Sequence, residues 1–309
     1  MSSFRGKILV IRGGAIGDFI LTLPVLTALR RQFPDASVEV LGYKHIIQLA
    51  VAAGLANKGQ PIESRSLAEF FARNGTLSED WADYFSEFDL IVSYLYDPDE
   101  IFQANVRRCT PAQFIAGPHR PDDKKNLPAS RVFLQPLERL AIFEADPVPH
   151  LALPRTLKQA NYLALHPGSG SEKKNWAIDR WAELLARLLS ETRFGLLLVG
   201  GEAEGERLQQ LAAALPPSRI RVAHKLPLPE LATQLAASQG FIGHDSGISH
   251  LAAALGLPGL VLWADTVEEV WRPPSGKVRI LRDPAGLACL TVERVMQDVA
   301  ELWAEKVIS

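Results

Sequence analysis

KILVIRGGAIGDFILTLPVLTALRRQ, Lys7 to Gln32, reads as a strand, a glycine turn and a helix in immediate succession. KILVIR is short, apolar and rich in β-branched residues, which suits a strand buried on both faces of a parallel sheet. After the turn, Phe19, Ile20, Leu23, Leu26 and Leu29 recur at helical spacing, although Pro24, with Thr22 as its cap, is placed to begin a second helical segment. The turn itself, Gly13-Gly14-Ala15-Ile16-Gly17-Asp18, departs from the G-x-G-x-x-G dinucleotide fingerprint in its spacing and ends on an acid. A carboxylate at a helix N-terminus gains from the macrodipole but repels a pyrophosphate placed there. Asp18 is therefore read either as a helix cap or as a base.

Outward from this unit the alternation continues. Strands are expected at Ser37–Leu41 and Leu90–Tyr94, and Arg107–Ser130, basic and proline-containing, reads mainly as loop. Ala145–Lys158 holds three prolines and no periodicity, which marks a linker. The pattern then restarts: strands at Tyr162–Leu165, Phe194–Val199, Phe241–Gly243 and Leu260–Leu262. Helices are expected at Asp179–Ser190, capped by Asp179, and at Glu204–Ala214, Pro229–Ser238, Ile248–Leu255 and Thr291–Val307. Strand–helix alternation implies parallel sheets, hence an α/β chain of two facing Rossmann-like domains, 1–152 and 153–309, with ligands at the carboxyl ends of the strands in the cleft between them. The order of elements allows the last helix to pack back on the first domain. A length of 309 residues, 47% of them hydrophobic, accommodates two such cores.

Charge and composition narrow the partners. Thirty-three basic side chains against 35 acidic ones leave a net charge of −2, so no overall field draws the chain to nucleic acid or anionic lipid. The two cysteines, Cys109 and Cys289, lie far apart and fit neither a disulfide scaffold nor a zinc site, which suits a reducing compartment. Residues 1–7 lack the apolar core of a signal peptide, and the longest apolar region, 241–264, carries His244, Asp245, His250 and Pro258, so it is no bilayer span of about 20 residues. A cytoplasmic protein is expected, with at most peripheral contact at the inner face of the inner membrane.

Two further turns bear candidate chemistry. His244-Asp245-Ser246-Gly247-Ile248-Ser249-His250 sits where a strand ends and a helix of small residues begins, so free amides and the Ser246 hydroxyl could hold phosphate oxygens without net positive charge. An Asp or Ser cap with His250 in the core is the other reading, and a Ser-His-Asp triad fits poorly in one turn without a G-x-S-x-G elbow. In His166-Pro167-Gly168-Ser169-Gly170-Ser171-Glu172-Lys173-Lys174-Asn175-Trp176, a lysine beside an anchoring indole could reach a phosphate, or be merely solvated. The acids of Gly200-Gly201-Glu202-Ala203-Glu204 could accept from ribose hydroxyls or cap the next helix. Asp97-Pro98-Asp99 looks like a D-x-D metal pair but has no supporting ligands, and His119, Arg120, Lys124 and Lys125 form a basic loop that could meet an acidic acceptor.

Four segments in order, ILVIRGGAIGDFILTLPVL, HPGSGSEKKNWAIDRWAEL, LLLVGGEAEGERL and IGHDSGISHLAAALGLP, together resemble glycosyltransferase family 9, the ADP-heptose:lipopolysaccharide heptosyltransferases, over nearly the whole chain. The resemblance implies a GT-B fold and a metal-independent, inverting transfer, with no cofactor, from a nucleotide-sugar donor to a glycan or glycolipid acceptor. By the same resemblance Asp18 is the general base and Lys174 binds the donor phosphates. Ser246 and Gly247 hold the diphosphate, Asp245 contacts the donor sugar and Glu204 the ribose, with Gly168, Ser169 and His250 completing the donor site. Two other readings of the chain stay open: a catalytically silent nucleotide-sugar binding protein, and a nucleotide-sugar epimerase of the same architecture.

Overall fold

The computed structural model describes residues 4–154 and 157–308. The chain divides into two compact units, Met1–Pro149 and His150–Ser309. The first runs β1 (Lys7–Arg12), α1 (Ile16–Gln32), β2 (Ser37–Gly42), α2 (Lys44–Ala52), β3 (Lys58–Pro61), α3 (Glu79–Ser86), β4 (Leu90–Ser93), α4 (Ile101–Arg107), β5 (Gln113–Ala116) and α5 (Ala129–Leu134). Its five strands lie parallel in the order β3-β2-β1-β4-β5.

The second unit repeats the scheme with β6 (Tyr162–His166), α6 (Ile178–Glu191), β7 (Gly195–Gly200), α7 (Gly205–Ala213), β8 (Ile220–His224) and α8 (Leu228–Ala236). It continues through β9 (Gly240–His244), α9 (Gly247–Ala254), β10 (Gly259–Leu262), α10 (Glu268–Trp271), β11 (Val278–Leu281) and α11 (Val292–Leu302). Six parallel strands are ordered β11-β10-β9-β6-β7-β8. In each sheet the chain first builds away from its opening strand on one side and then returns to the other. The switch points therefore fall between β1 and β4 and between β6 and β9, where ligands collect in open α/β sheets.

Apolar spacing explains how the helices are held. Along α6, Trp181, Leu184, Leu185, Leu188 and Leu189 form one buried stripe, each side chain contributing about 1.5–3 kcal/mol by leaving water. That stripe shares a core with Val292, Val295, Met296 and Val299 of α11, so the last helix packs its apolar face within the second unit.

Several local expectations are corrected. Pro24 does not divide α1, which runs unbroken from Ile16 to Gln32, and Thr22 donates back to the Asp18 carbonyl (2.8 Å) instead of capping a second segment. Arg107–Ser130 is not simply loop, because Gln113–Ala116 adds β5 to the sheet edge. Asp179 does not cap α6; the cap position is Ala177 and Asp179 lies in the first turn. Thr291 caps α11 through its hydroxyl, and the helix ends at Leu302, short of the expected Val307. Of the expected linker, 145–154 contains neither helix nor strand, while Arg155 and Thr156 lie outside the described residues.

Candidate active site

At the first switch point, β1 delivers Arg12 and the glycine turn delivers Asp18. Gly14 adopts φ +96°, and a Cβ there would stand 2.9 Å from Asp18 Oδ2, so both backbone and space demand glycine. Asp18 Oδ2 accepts from the Ala15 amide (3.1 Å), while Oδ1 lies 3.5 Å from Arg12 Nη2. The helix-cap reading is thus correct for one oxygen, and the other, on a side chain 26% exposed, faces a guanidinium only 2% exposed.

Arg12 is held from three sides. Nη1 donates to the carbonyls of His119 (2.8 Å) and Tyr94 (3.4 Å), and the guanidinium lies 4.5 Å from the Phe133 ring centroid. Burial lowers its affinity for the proton, and the Asp18 charge opposes that shift. A charged side chain ending a buried strand immediately before a Gly-Gly turn was the signal that could have singled out Arg12 beforehand.

The second switch point gathers His166 from β6 and His244 from β9, on adjacent strands. His244 donates through Nδ1 to the Gly168 carbonyl (3.2 Å) and accepts through Nε2 from the Trp176 amide (2.9 Å), an arrangement that fits the neutral Nδ1–H tautomer. Trp176 is itself fully buried, with Nε1 donating to the Leu290 carbonyl (3.0 Å). Arg207 of α7 braces the same loop at the carbonyl of Pro167 (3.3 Å) and at Glu172 (3.1 Å). Anchored in this way, the loop sets Lys174 two residues before the indole, with Nζ 2.7 Å from Asp245 Oδ2. Asp245 also accepts from Thr266, a residue after β10 that no sequence pattern pointed to.

Ser246 stands at the cap position of α9, but no side chain caps the helix. Its Oγ is buried and without a hydrogen-bond partner among the described residues. The amides of Gly247 and Ile248 belong to the first turn, where intrahelical acceptors are lacking. Lys174, held on the neighbouring Asp245, lies at the same strand end, the mouth of β9.

Glu204 reaches the same rim. Its Oε2 accepts from the Gly201 amide (2.8 Å), and a Cβ on Gly168 would lie 2.5 Å from its Oε1, so Gly168 is the close-approach point of the two loops. The Ser169 hydroxyl is engaged inside its own loop, against Ser171 O (2.8 Å) and Asn175 Oδ1 (2.7 Å). His250 is buried on α9, its amide bonded to the Ser246 carbonyl. The second unit therefore brings together Gly168, Lys174, Glu204, Asp245, Ser246 and Gly247, and Asp18 belongs to the first. The D-x-D pair is explained otherwise: both Asp97 oxygens accept α4 amides, from Phe102 (3.1 Å) and Gln103 (2.9 Å), and exposed Asp99 pairs with Arg73. Among the described residues no three His, Cys, Asp or Glu side chains gather where they could hold a metal ion.

The two switch-point histidines imply a pH response. Burial above all pushes His244 down to about 3, opposed by its bond to Gly168 and aided by His166 and Arg207; burial lowers His166 as well. In the unfolded chain each imidazole takes up a proton near pH 6.5, so below that value the unfolded state binds more protons. Stability is then lost as pH falls below about 6.5, at up to about 1.4 kcal/mol per pH unit for each histidine, and for His244 the loss continues towards pH 3. Melting temperatures at pH 7.5, 6 and 5 should decline in step, and His244→Gln should flatten the decline by about one proton. An unchanged slope in that variant would remove His244 as its source.

The family model described as glycosyltransferase family 9 (heptosyltransferase) matches residues 126–300. Lipopolysaccharide heptosyltransferase 3 of Escherichia coli is 24% identical over 298 residues, covering 85% of this chain and 84% of that protein. Lipopolysaccharide heptosyltransferase 1 of Pseudomonas aeruginosa is 25% identical, covering 84% and 79%. Among solved structures, E. coli ADP-heptose lps heptosyltransferase II superposes with a TM-score of 0.78 at 21% identity, covering 97% of this chain and 99% of that one. E. coli heptosyltransferase WaaC with ADP gives 0.77 at 19% identity, covering 96% and 99%. The fold is GT-B.

Proposed function

Because this chain belongs to glycosyltransferase family 9, the heptosyltransferase family, we propose that it moves a heptose or closely related sugar from a nucleoside diphosphate, ADP first among candidates, to a hydroxyl of a lipopolysaccharide-type glycan or glycolipid. In this reading the acceptor oxygen attacks the anomeric carbon with inversion and loses its proton to Asp18. The bond from that carbon to the diphosphate oxygen breaks, and the electron pair leaves with the diphosphate. Amides of Gly247 and Ile248, the Ser246 hydroxyl and Lys174 receive that charge, the kind of preorganised donor set that stabilises a transition state most. Asp245 is assigned to the donor sugar and Glu204 to the ribose; no metal or cofactor takes part.

The observation that carries this reading is the uncapped start of α9, with the buried Ser246 hydroxyl lacking a partner among the described residues and Lys174 close by on Asp245. Names of the relatives support the sugar and the acceptor class, and the ADP-bound neighbour supports the base. On this reading the reaction runs in the cytoplasm, with at most peripheral contact at the inner face of the inner membrane. Both cysteines are free thiols, in keeping with a reducing compartment, and among the described residues no helix is long and apolar enough to cross a membrane. Calorimetry with ADP, UDP and GDP tests the donor. We expect ADP to bind at least about tenfold more tightly than the other two, a difference of about 1.4 kcal/mol. Negligible binding of all three would sink the donor site.

A further inference from the structure

Two donors of different character converge on one oxygen of Asp245. Lys174 Nζ lies 2.7 Å from Oδ2, and the Thr266 hydroxyl donates to the same atom. The carboxylate they share is only 7% exposed, so its orientation is set by what holds it.

The two are anchored very differently. Lys174 reaches Asp245 on a flexible four-carbon stem, its side chain 32% exposed. Thr266 is tied at backbone and side chain alike. Its carbonyl accepts from the Trp263 indole (2.8 Å), and Trp263 is fully buried in a cluster with Ala253, Val261 and Val278. Branching at Cβ leaves threonine few χ1 rotamers, and its hydroxyl has one proton to give, which is committed to Asp245.

This asymmetry has a consequence for sugar transfer. As the sugar departs, charge grows on the diphosphate and draws Lys174 towards it, away from Asp245. A nearly buried carboxylate that gives up its cation keeps its place only if a neutral donor still holds it. We infer that Thr266 is a positioning residue: it keeps the Asp245 carboxylate on the donor sugar while Lys174 passes from that carboxylate to the diphosphate. The inference rests on the transfer reading given above, in which Asp245 meets the sugar and Lys174 the phosphates. Thr266 acts through Asp245 alone.

Sugar and nucleotide should therefore respond separately. ADP engages the α9 amides and Lys174 but presents no sugar to Asp245, whereas ADP-heptose presents one. Calorimetry of the full-length protein with both ligands is the test. Thr266→Val, close in shape but without the hydroxyl, should weaken ADP-heptose about tenfold and ADP by less than about threefold. Thr266→Ser returns the hydroxyl and should bring ADP-heptose back to within about threefold of wild type. In an Asp245→Asn background, Thr266→Val should cost less than about twofold, since the carboxylate it serves is gone. Trp263→Phe removes the indole donor to the Thr266 carbonyl and leaves the hydroxyl in the chain, so it decides the matter if Thr266→Val folds poorly. It should weaken ADP-heptose relative to ADP by about threefold. Equal losses for the two ligands in Thr266→Val, the result of a merely structural threonine, overturn the inference. Unchanged ADP-heptose affinity does so too, as does a loss of full size in the Asp245→Asn background. Wild-type protein that binds neither ligand overturns the donor reading and this inference with it. Wild-type protein that binds both, with variants that do not tell them apart, overturns the inference alone.

Discussion

Replacing Asp18 by Asn is expected to cut sugar transfer by about 10³-fold, within the 10²–10⁴ range of a positioned general base, while the fold survives. The substitution separates the two oxygens' duties. Asn keeps a carbonyl oxygen able to accept from the Ala15 amide, so the cap on α1 is retained. What disappears is the basic carboxylate oxygen that faces Arg12 at 3.5 Å. Arg12 loses its counter-charge but keeps the carbonyls of His119 and Tyr94 and the Phe133 ring. With Asp18 partly exposed, that loss should cost about 1 kcal/mol, or roughly 2–4 °C in melting temperature. Activity and stability therefore move by very different amounts. Steady-state transfer and a thermal melt on the same preparation check this, and a fully active Asp18→Asn enzyme would reduce Asp18 to a cap. Undiminished ADP binding by the same variant, with no turnover by wild type on any acceptor, would favour a silent binding protein.

What could be read beforehand follows from where the physical signals are local. Both switch-point turns were legible, because a glycine and an acid or serine must sit within a few residues of a strand's end to make them, and KILVIR and LLLVG are continuous apolar runs buried on both faces. Edge strands escaped for the opposite reason. KGQP of β3 and IRVAH of β8 are short and partly solvated, with no uninterrupted apolar run to betray them. In the site, Lys174, Asp245, Ser246 and Gly247 lie in motif-bearing turns, so their candidacy was visible. Their grouping with Thr266 was not, since that contact is made by a loop beyond β10 and depends on the Trp263 indole donating to the Thr266 carbonyl (2.8 Å). Pro24 misled in a different way. A proline lacks the amide that continues a helix, yet tertiary burial of α1 between Phe19 and Leu29 outweighs the missing bond.

Lys174→Ala is expected to lower kcat/KM by about 10²–10³-fold, the range seen when one preorganised donor to a developing oxyanion is removed. ADP affinity should fall by less, roughly tenfold, since negative charge on the diphosphate grows as the sugar departs and the lysine is worth most at that moment. The ion pair with Asp245 complicates a single variant. Lys174 is about one-third exposed but its partner is nearly buried, so truncation leaves a carboxylate that keeps the Thr266 hydroxyl but no counter-charge from Lys174. A double-mutant cycle with Asp245→Asn separates the two effects. If Lys174 served only to neutralise Asp245, the double variant would regain stability and activity together. If it receives the leaving diphosphate, the double variant regains stability but kcat stays low. Lys174→Arg adds a second discrimination: a guanidinium keeps the charge but is larger and planar, so it should restore the pairing with Asp245 better than it restores turnover. Wild-type kcat in a folded Lys174→Ala enzyme would remove the lysine from the reaction and leave the α9 amides to hold the diphosphate alone.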